Sequence, residues 1–192
     1  NNREVLNMLN VKYLIQADDK GQPFAVQNQK ANGNAWFITE LKHVNSADEE
    51  MKALTHLDTK NVAITQEEVS EKVGLSSQFY KDSLSSIKLI KYTPNKLKYS
   101  ASNTKNGFAV FSEIYYKEGW HATIDGKDIP IHKVNYTLRG LQIPAGKHTI
   151  EFKFEPAAYY TGRTITNIAA WTLMLILAAF IVYSIRGRNK KA

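Results

Sequence analysis

The run from Thr164 to Ile185 holds twenty-two residues without a single charge, and Arg186, Arg188, Lys190 and Lys191 follow at once. As a helix rising about 1.5 Å per residue, such a run reaches about 33 Å, enough to cross a hydrocarbon core of about 30 Å. It reads as a transmembrane helix with the lipid bilayer as its partner. Tyr159, Tyr160 and Trp171 are assigned to one membrane interface and Tyr183 to the other, with Arg186 and Arg188 anchoring the far headgroups. The tail carries more cations than the single Arg163 before the helix. The positive-inside rule therefore predicts a cytoplasmic tail, with residues 1–163 outside the membrane.

That orientation requires something to export the amino-terminal region. The chain opens on Asn1-Asn2-Arg3-Glu4, without an initiator Met or an apolar leader, and its best early apolar run, Val11 to Ala17, is broken by Lys12 and Gln16. The expectation is a C-terminal piece of a longer membrane protein whose upstream helices carry this region across.

Composition is that of a folded domain on a membrane stalk: 43% hydrophobic, 22% charged, with 10 Gly and 5 Pro among 192 residues. The net charge of +7 owes most of its excess to the tail, and no other segment clusters Lys or Arg with interleaved aromatics. No nucleic-acid partner is expected. With no cysteine, disulfides, thiolate metal sites and Cys nucleophiles are excluded.

Two regions precede the helix. Residues 1–84 read as a small α/β unit, with strands at Val11–Ala17, Ala35–Ile38 and Val62–Ile64. Ser46-Ala47-Asp48-Glu49 forms a capping box that opens a helix with Ala47, Met51, Leu54 and Leu57 as its apolar face. Thr65-Gln66-Glu67-Glu68 repeats the signature and predicts a second short helix running to Val73. Residues 85–156 read as an antiparallel β-sandwich of about seven strands, from the alternation in segments such as Ile150-Glu151-Phe152-Lys153-Phe154. Asp125-Gly126 supplies a two-residue hairpin turn after Trp120–Ile124. The apolar parity slips at Gly140, which predicts a bulge there. Residues 157–163 then form a juxtamembrane linker, 164–185 the spanning helix and 186–192 the basic tail, so the fold class is α+β with one C-terminal transmembrane helix.

Several motifs carry a family resemblance. Tyr115-Tyr116-Lys117-Glu118-Gly119-Trp120-His121-Ala122-Thr123-Ile124-Asp125-Gly126-Lys127 is followed by Val134-Asn135, Arg139-Gly140, Ile143-Pro144-Ala145-Gly146-Lys147-His148 and Phe152-Lys153-Phe154-Glu155-Pro156. In this order they resemble the extracytoplasmic C-terminal region of the YfhO family of bacterial membrane proteins, and Asn10–Ile15 is similar to the start of that region. The resemblance implies a polytopic protein like the GT-C glycosyltransferases, located in the bacterial cytoplasmic membrane. Such enzymes take a sugar from a polyprenyl-phosphate carrier and modify an envelope polymer, lipoteichoic acid in Gram-positive relatives. Lys117-Glu118 departs from the family at a turn where many relatives have proline. The amino-terminal helices and the acidic loop residues to which catalysis is attributed are not in this chain, so the resemblance places no catalytic residue here.

The residues support the same restraint. His121, His132 and His148 with Asp125 lack any recognised metal-ligand spacing and read as solvated surface histidines. Asp48, Glu49 and Glu50, like Glu67 and Glu68, are adjacent on the chain and suit the first turn of a helix better than paired acid–base chemistry. No metal or cofactor is expected in this fragment. Tyr115 and Tyr116 face opposite sides of a strand, which exposes one of them, and they are the candidate glycan contacts. Asn135-Tyr136-Thr137 matches a glycosylation sequon by coincidence. The leading expectation is an accessory outer domain of a membrane glycosyltransferase, partnered with the upstream membrane part and with a polyprenyl-phosphate sugar or envelope glycan. A glycan-binding module and a purely structural domain remain as alternatives.

Overall fold

The structure is a computed structural model that describes residues 2–69 and 74–189. It divides into two compact units, Asn1–Phe154 and Glu155–Ala192.

The first unit is built in three layers. One sheet has the order β10-β9-β13-β7-β6, formed by Lys127–Ile129, Trp120–Ile124, Gly146–Phe154, Lys96–Asn103 and Ser86–Thr93. The facing sheet has the order β11-β12-β8-β3, formed by His132–Val134, Leu138–Ile143, Gly107–Ile114 and Ala35–Ile38. Between them lie Phe37, Tyr99, Phe111, Leu141, Ile150 and Phe152, with the rings of Tyr99, Phe111 and Phe152 packed edge to face. The second sheet is covered on its outer face as well. There Trp36, Ile38, Phe108, Val110 and Leu138 pack against α1 (Arg3–Met8), the loop after α2 (Ala47–Ala53) and the parallel pair β4 (Glu40–His43) and β5 (Val62–Thr65).

A sheet buried on both faces needs continuous apolar strands rather than alternating ones. The Phe108-Ala109-Val110-Phe111 run meets that requirement, sending Phe108 and Val110 to the outer core and Ala109 and Phe111 to the inner one. Because β3 pairs with β8, the expected boundary between residues 84 and 85 separates no compact units. The α/β elements are the third layer of the sandwich.

The α+β class with a β-sandwich and one C-terminal helix is what the structure shows, with local differences. Pro130, which lacks an N–H, ends β10 on one sheet, and the chain crosses to begin β11 on the other. The bulge lies beside Gly140 rather than at it: the register shifts between Leu138 and Arg139, where Ser112 and Glu113 of β8 are the extra residues. Gly140 is required for close approach instead, since a Cβ there would lie 2.5 Å from the Phe108 ring. Ser46 Oγ caps α2 by accepting from the Glu49 N–H, and Glu49 returns to the Asn45 N–H. The helix face is rotated from the expected one, however: Glu50 is buried and Met51 is 52% exposed. The helix expected to follow Thr65 would run into residues 70–73, outside the described residues, and Gln66–Val69 are not helical. A short β-hairpin, β1 (Tyr13–Ala17) with β2 (Pro23–Gln27), completes the first unit.

The second unit is α3, Ala157–Asn189. Its stretch Ala157–Ser184 is long and apolar enough to cross a membrane, with mean hydropathy 2.2 in its most apolar window. The hydroxyls of Thr164, Thr166 and Thr172 each donate to the carbonyl four residues earlier, which satisfies them without water. Tyr159, Tyr160 and Tyr183 are exposed toward the ends of that stretch. Trp171 lies about 18 Å along the axis from Tyr159. That places it near the middle of the Ala157–Ser184 stretch.

Candidate functional site

At one end of the sandwich, where the chain leaves β8, turns into β9 and crosses from β10 to β11, a cleft of about 350 Å³ opens. Tyr115, Tyr116, Trp120, His121, Asp128 and Ile131 are among its lining residues. Each is placed by its local fold. The Tyr115 N–H donates to the Thr137 carbonyl at 2.7 Å, which fixes the exit from β8. Asp125 and Gly126, with φ of 50° and 82°, form the tight turn that returns β10 beside β9. That turn brings Asp128 of β10 opposite Thr123, and β9 carries Trp120 and His121 at its start.

The two sequence-predicted glycan contacts come together here: Tyr116 is 55% exposed and Tyr115 half-buried, both on the cleft. Trp120 packs against the edge of the inner core, where it stays half-buried and lines the same cleft. One reason is the inward-turned Arg139, whose guanidinium lies 4.0 Å from the Trp120 ring and 5.3 Å from Phe152. Arg139 is itself buried, donates from Nε to the Ile114 carbonyl at 2.9 Å, and leaves Nη1 without a partner. Burial pushes its pKa down and pushes the Glu113 carboxyl up, while the attraction between the two opposes both shifts. Phe154 packs 5.2 Å from Trp120 and 6.4 Å from Tyr116. The aromatic lining is therefore held from behind by a cation and a ring, which limits its rotamers.

Rigid aromatic faces with a few polar groups at the rim suit a ligand that has both an apolar face and hydroxyls. Among the described residues Asp128 is the one carboxylate on the lining, so no pair of carboxylates is assembled there. A larger groove of about 500 Å³ between α1 and α2 is lined by Val5, Leu9, Met51, Leu54 and Tyr136, and it has fewer convergent polar groups.

The remaining titratable residues are separated. His132 Nδ1 sits 2.6 Å from Glu67, and His148 Nδ1 sits 2.7 Å from Asp125. These two histidines are partly shielded and paired, not freely solvated, whereas His121 is exposed on the cleft. Among the described residues no three His, Cys, Asp or Glu side chains converge as a metal site. Burial alone would raise the Glu67 carboxyl, but the bonds from His132 and the Lys133 N–H outweigh it and hold its pKa below the usual range. Glu50, read from the sequence as a first-turn acid, accepts from the Tyr136 N–H at 2.6 Å and the Gln66 amide at 2.7 Å. Asn135 is fully buried and exchanges hydrogen bonds with Ile64, so the sequon match lies in the interior.

A family model described as bacterial membrane protein YfhO matches residues 55–166, from the loop before β5 into the first turns of α3. No curated protein and no solved structure matches the chain.

Proposed function

The chain belongs to the YfhO family of bacterial membrane proteins, and from that premise we propose that residues 1–154 are the extracytoplasmic accessory domain of a polytopic membrane glycosyltransferase. The enzyme would take a sugar from a polyprenyl-phosphate carrier and attach it to a cell-envelope polymer, with its catalytic centre in the membrane-embedded part that precedes this region in the family. The observation that supports this reading is the cleft of Tyr115, Tyr116 and Trp120, with His121 and Asp128 at its rim. A pyranose ring offers axial C–H groups to an aromatic face and hydroxyls to polar groups, and this lining supplies both partners. In this reading the domain holds the acceptor glycan while transfer occurs elsewhere, and the cleft residues bind and orient without exchanging a proton with the reacting centre.

The test is transfer by the full protein in membranes. Tyr116 is more than half exposed, so Tyr116→Ala leaves the melting temperature unchanged. Losing a stacked aromatic contact of about 1–2 kcal/mol lowers kcat/KM for the acceptor roughly 5- to 30-fold. Unchanged acceptor kinetics in that variant would remove the cleft from the mechanism. Because the cleft is formed within one compact unit, a second reading as a glycan-binding module is distinguished by glycan-array binding of the full protein that persists without transfer activity.

A further inference from the structure

Among the described residues the β1–β2 hairpin pairs with no other strand, and isolated two-stranded ribbons are marginal in water. Its base is tied down by Asn28, whose amide donates to Asn7 Oδ1 and to the Val11 carbonyl, and its inner face borders a cleft beside α1. The outer face presents Tyr13, Ile15 and Ala17 on β1, with Pro23, Ala25 and Gln27 opposite them on β2. Tyr13 is 61% and Ile15 80% exposed.

Hydrogen-bond parity identifies which groups the hairpin leaves unused. The Asp18 N–H donates to the Gln22 carbonyl and the Asn28 N–H to the Lys12 carbonyl, so residues 12, 14, 16 and 18 turn their backbone groups toward β2. The N–H and C=O groups of Tyr13, Ile15 and Ala17 therefore point away from the hairpin along an open edge. On the other edge the corresponding residues are Pro23, Ala25 and Gln27, and Pro23 has no donor. Proline is a common way to blunt a sheet edge against pairing, and β1 has none.

We infer that β1 is a self-complementary docking edge, at which two copies of this chain pair their β1 strands antiparallel about a two-fold axis through Ile15 to make a four-stranded sheet. In that register Tyr13 faces Ala17 of the second copy and Ile15 faces its own equivalent. All three opposed pairs are of the hydrogen-bonded kind, so every outward donor and acceptor on the edge is used. The apolar side chains of Tyr13, Ile15 and Ala17 meet their counterparts on one face. On the other face Lys12 falls opposite Asp18 of the second copy, at both ends of the ladder. Asp18 commits one carboxylate oxygen to its own turn, accepting from the Lys20 and Gln22 N–H groups, and its other oxygen is available to that lysine. Lipid supplies no hydrogen bonds to a strand edge, and the acidic Asp18-Asp19 tip opposes approach to anionic headgroups. The charge pairing is met by a copy of the same strand.

Single cysteines introduced into a full protein whose other cysteines are replaced, in native membranes or detergent, test the register, since residues 1–192 contain none. An Ile15→Cys pair would have Cα atoms about 5.5 Å apart, within disulfide range, so mild oxidation yields a covalent dimer. Tyr13→Cys, offset from its own equivalent by four residues or about 13 Å, yields little, but Tyr13→Cys mixed with Ala17→Cys yields the heterodimer. Adding Lys12→Glu to Ile15→Cys sets two acids against each other and lowers cross-linking roughly three- to tenfold. Equal cross-linking at Tyr13 and Ile15, stronger cross-linking at Ala25→Cys, or a monomeric mass by light scattering would each overturn the inference. Exclusion of water-soluble thiol reagents from Ile15→Cys without any covalent dimer would do the same, by assigning the face to lipid.

Discussion

Asp125 combines a backbone and an electrostatic role. Its own φ of 50° starts the β9–β10 turn, one oxygen accepts from the Thr149 N–H at 2.8 Å, and the other sits 2.7 Å from His148 Nδ1. The second ring nitrogen of His148 faces the Ala145 carbonyl at 3.1 Å. Both nitrogens meet acceptors, and only the doubly protonated ring satisfies both. The bond to Asp125 accordingly raises the His148 pKa, and the same bond holds the Asp125 carboxyl low. A raised histidine contributes stability that is fully present below its unfolded value of about 6.5 and is lost as pH rises through the folded value. A depressed carboxyl contributes stability present above about 3.9 and lost as pH falls through its folded value. The pair thus stabilises the turn over the acidic-to-neutral window between those limits. Asn tolerates the positive φ and keeps an oxygen for Thr149, so Asp125→Asn keeps the turn while removing the charge and the acceptor that faces His148. The His148 midpoint, followed through its ring proton resonances, should move down in that variant, and an unmoved midpoint would mean that the contact does not form in solution.

At the scale of elements, β12 shows why the apolar pattern misled at Gly140. Arg139, Leu141 and Ile143 turn toward the inner core while Leu138 and Gly140 face the outer one, so the strand keeps its period of two throughout. The apparent slip arises because both faces are covered, which one strand's hydrophobicity does not reveal. Gly140→Ala drives a methyl group into Phe108, at 2.5 Å, with Val134 at 3.1 Å, and should cost about 1–3 kcal/mol in a denaturant titration. Strands with one exposed face, such as β13 and β9, were legible from alternation alone, and the capping box at Ser46 was legible from residue type. Inward-facing Glu50 and Arg139 were not, because their partners are a distant backbone N–H at Tyr136 and an indole on the opposite sheet. The same limit applies to the cleft. The Tyr115-Tyr116 pair stands out in the sequence, whereas Trp120, His121 and Asp128 join it only through the β9–β10 turn.

For the whole molecule, the governing contrast is between a charged, layered domain and an apolar helix joined to it by Glu155 and Pro156. The side chains of Leu173, Leu175, Ile176, Phe180 and Ile181 on α3 are exposed among the described residues, which is consistent with membership of a membrane-protein family. The charge bias across the helix, with Arg163 on one side and Arg186, Arg188, Lys190 and Lys191 on the other, favours a cytoplasmic location for the segment that follows the helix. The sandwich would then lie outside, where a lipid-linked sugar and an envelope acceptor meet, so the orientation and the proposed function stand together. A reporter that fluoresces only in the cytoplasm, placed directly after residue 192 in the full protein, should be bright. A cysteine replacing Lys105, in the turn between β7 and β8, should react with an impermeant thiol reagent in spheroplasts. A dark fusion with a protected cysteine would place the cleft in the cytoplasm, away from any exported glycan, and would end the accessory-domain reading whatever the kinetics of Tyr116→Ala.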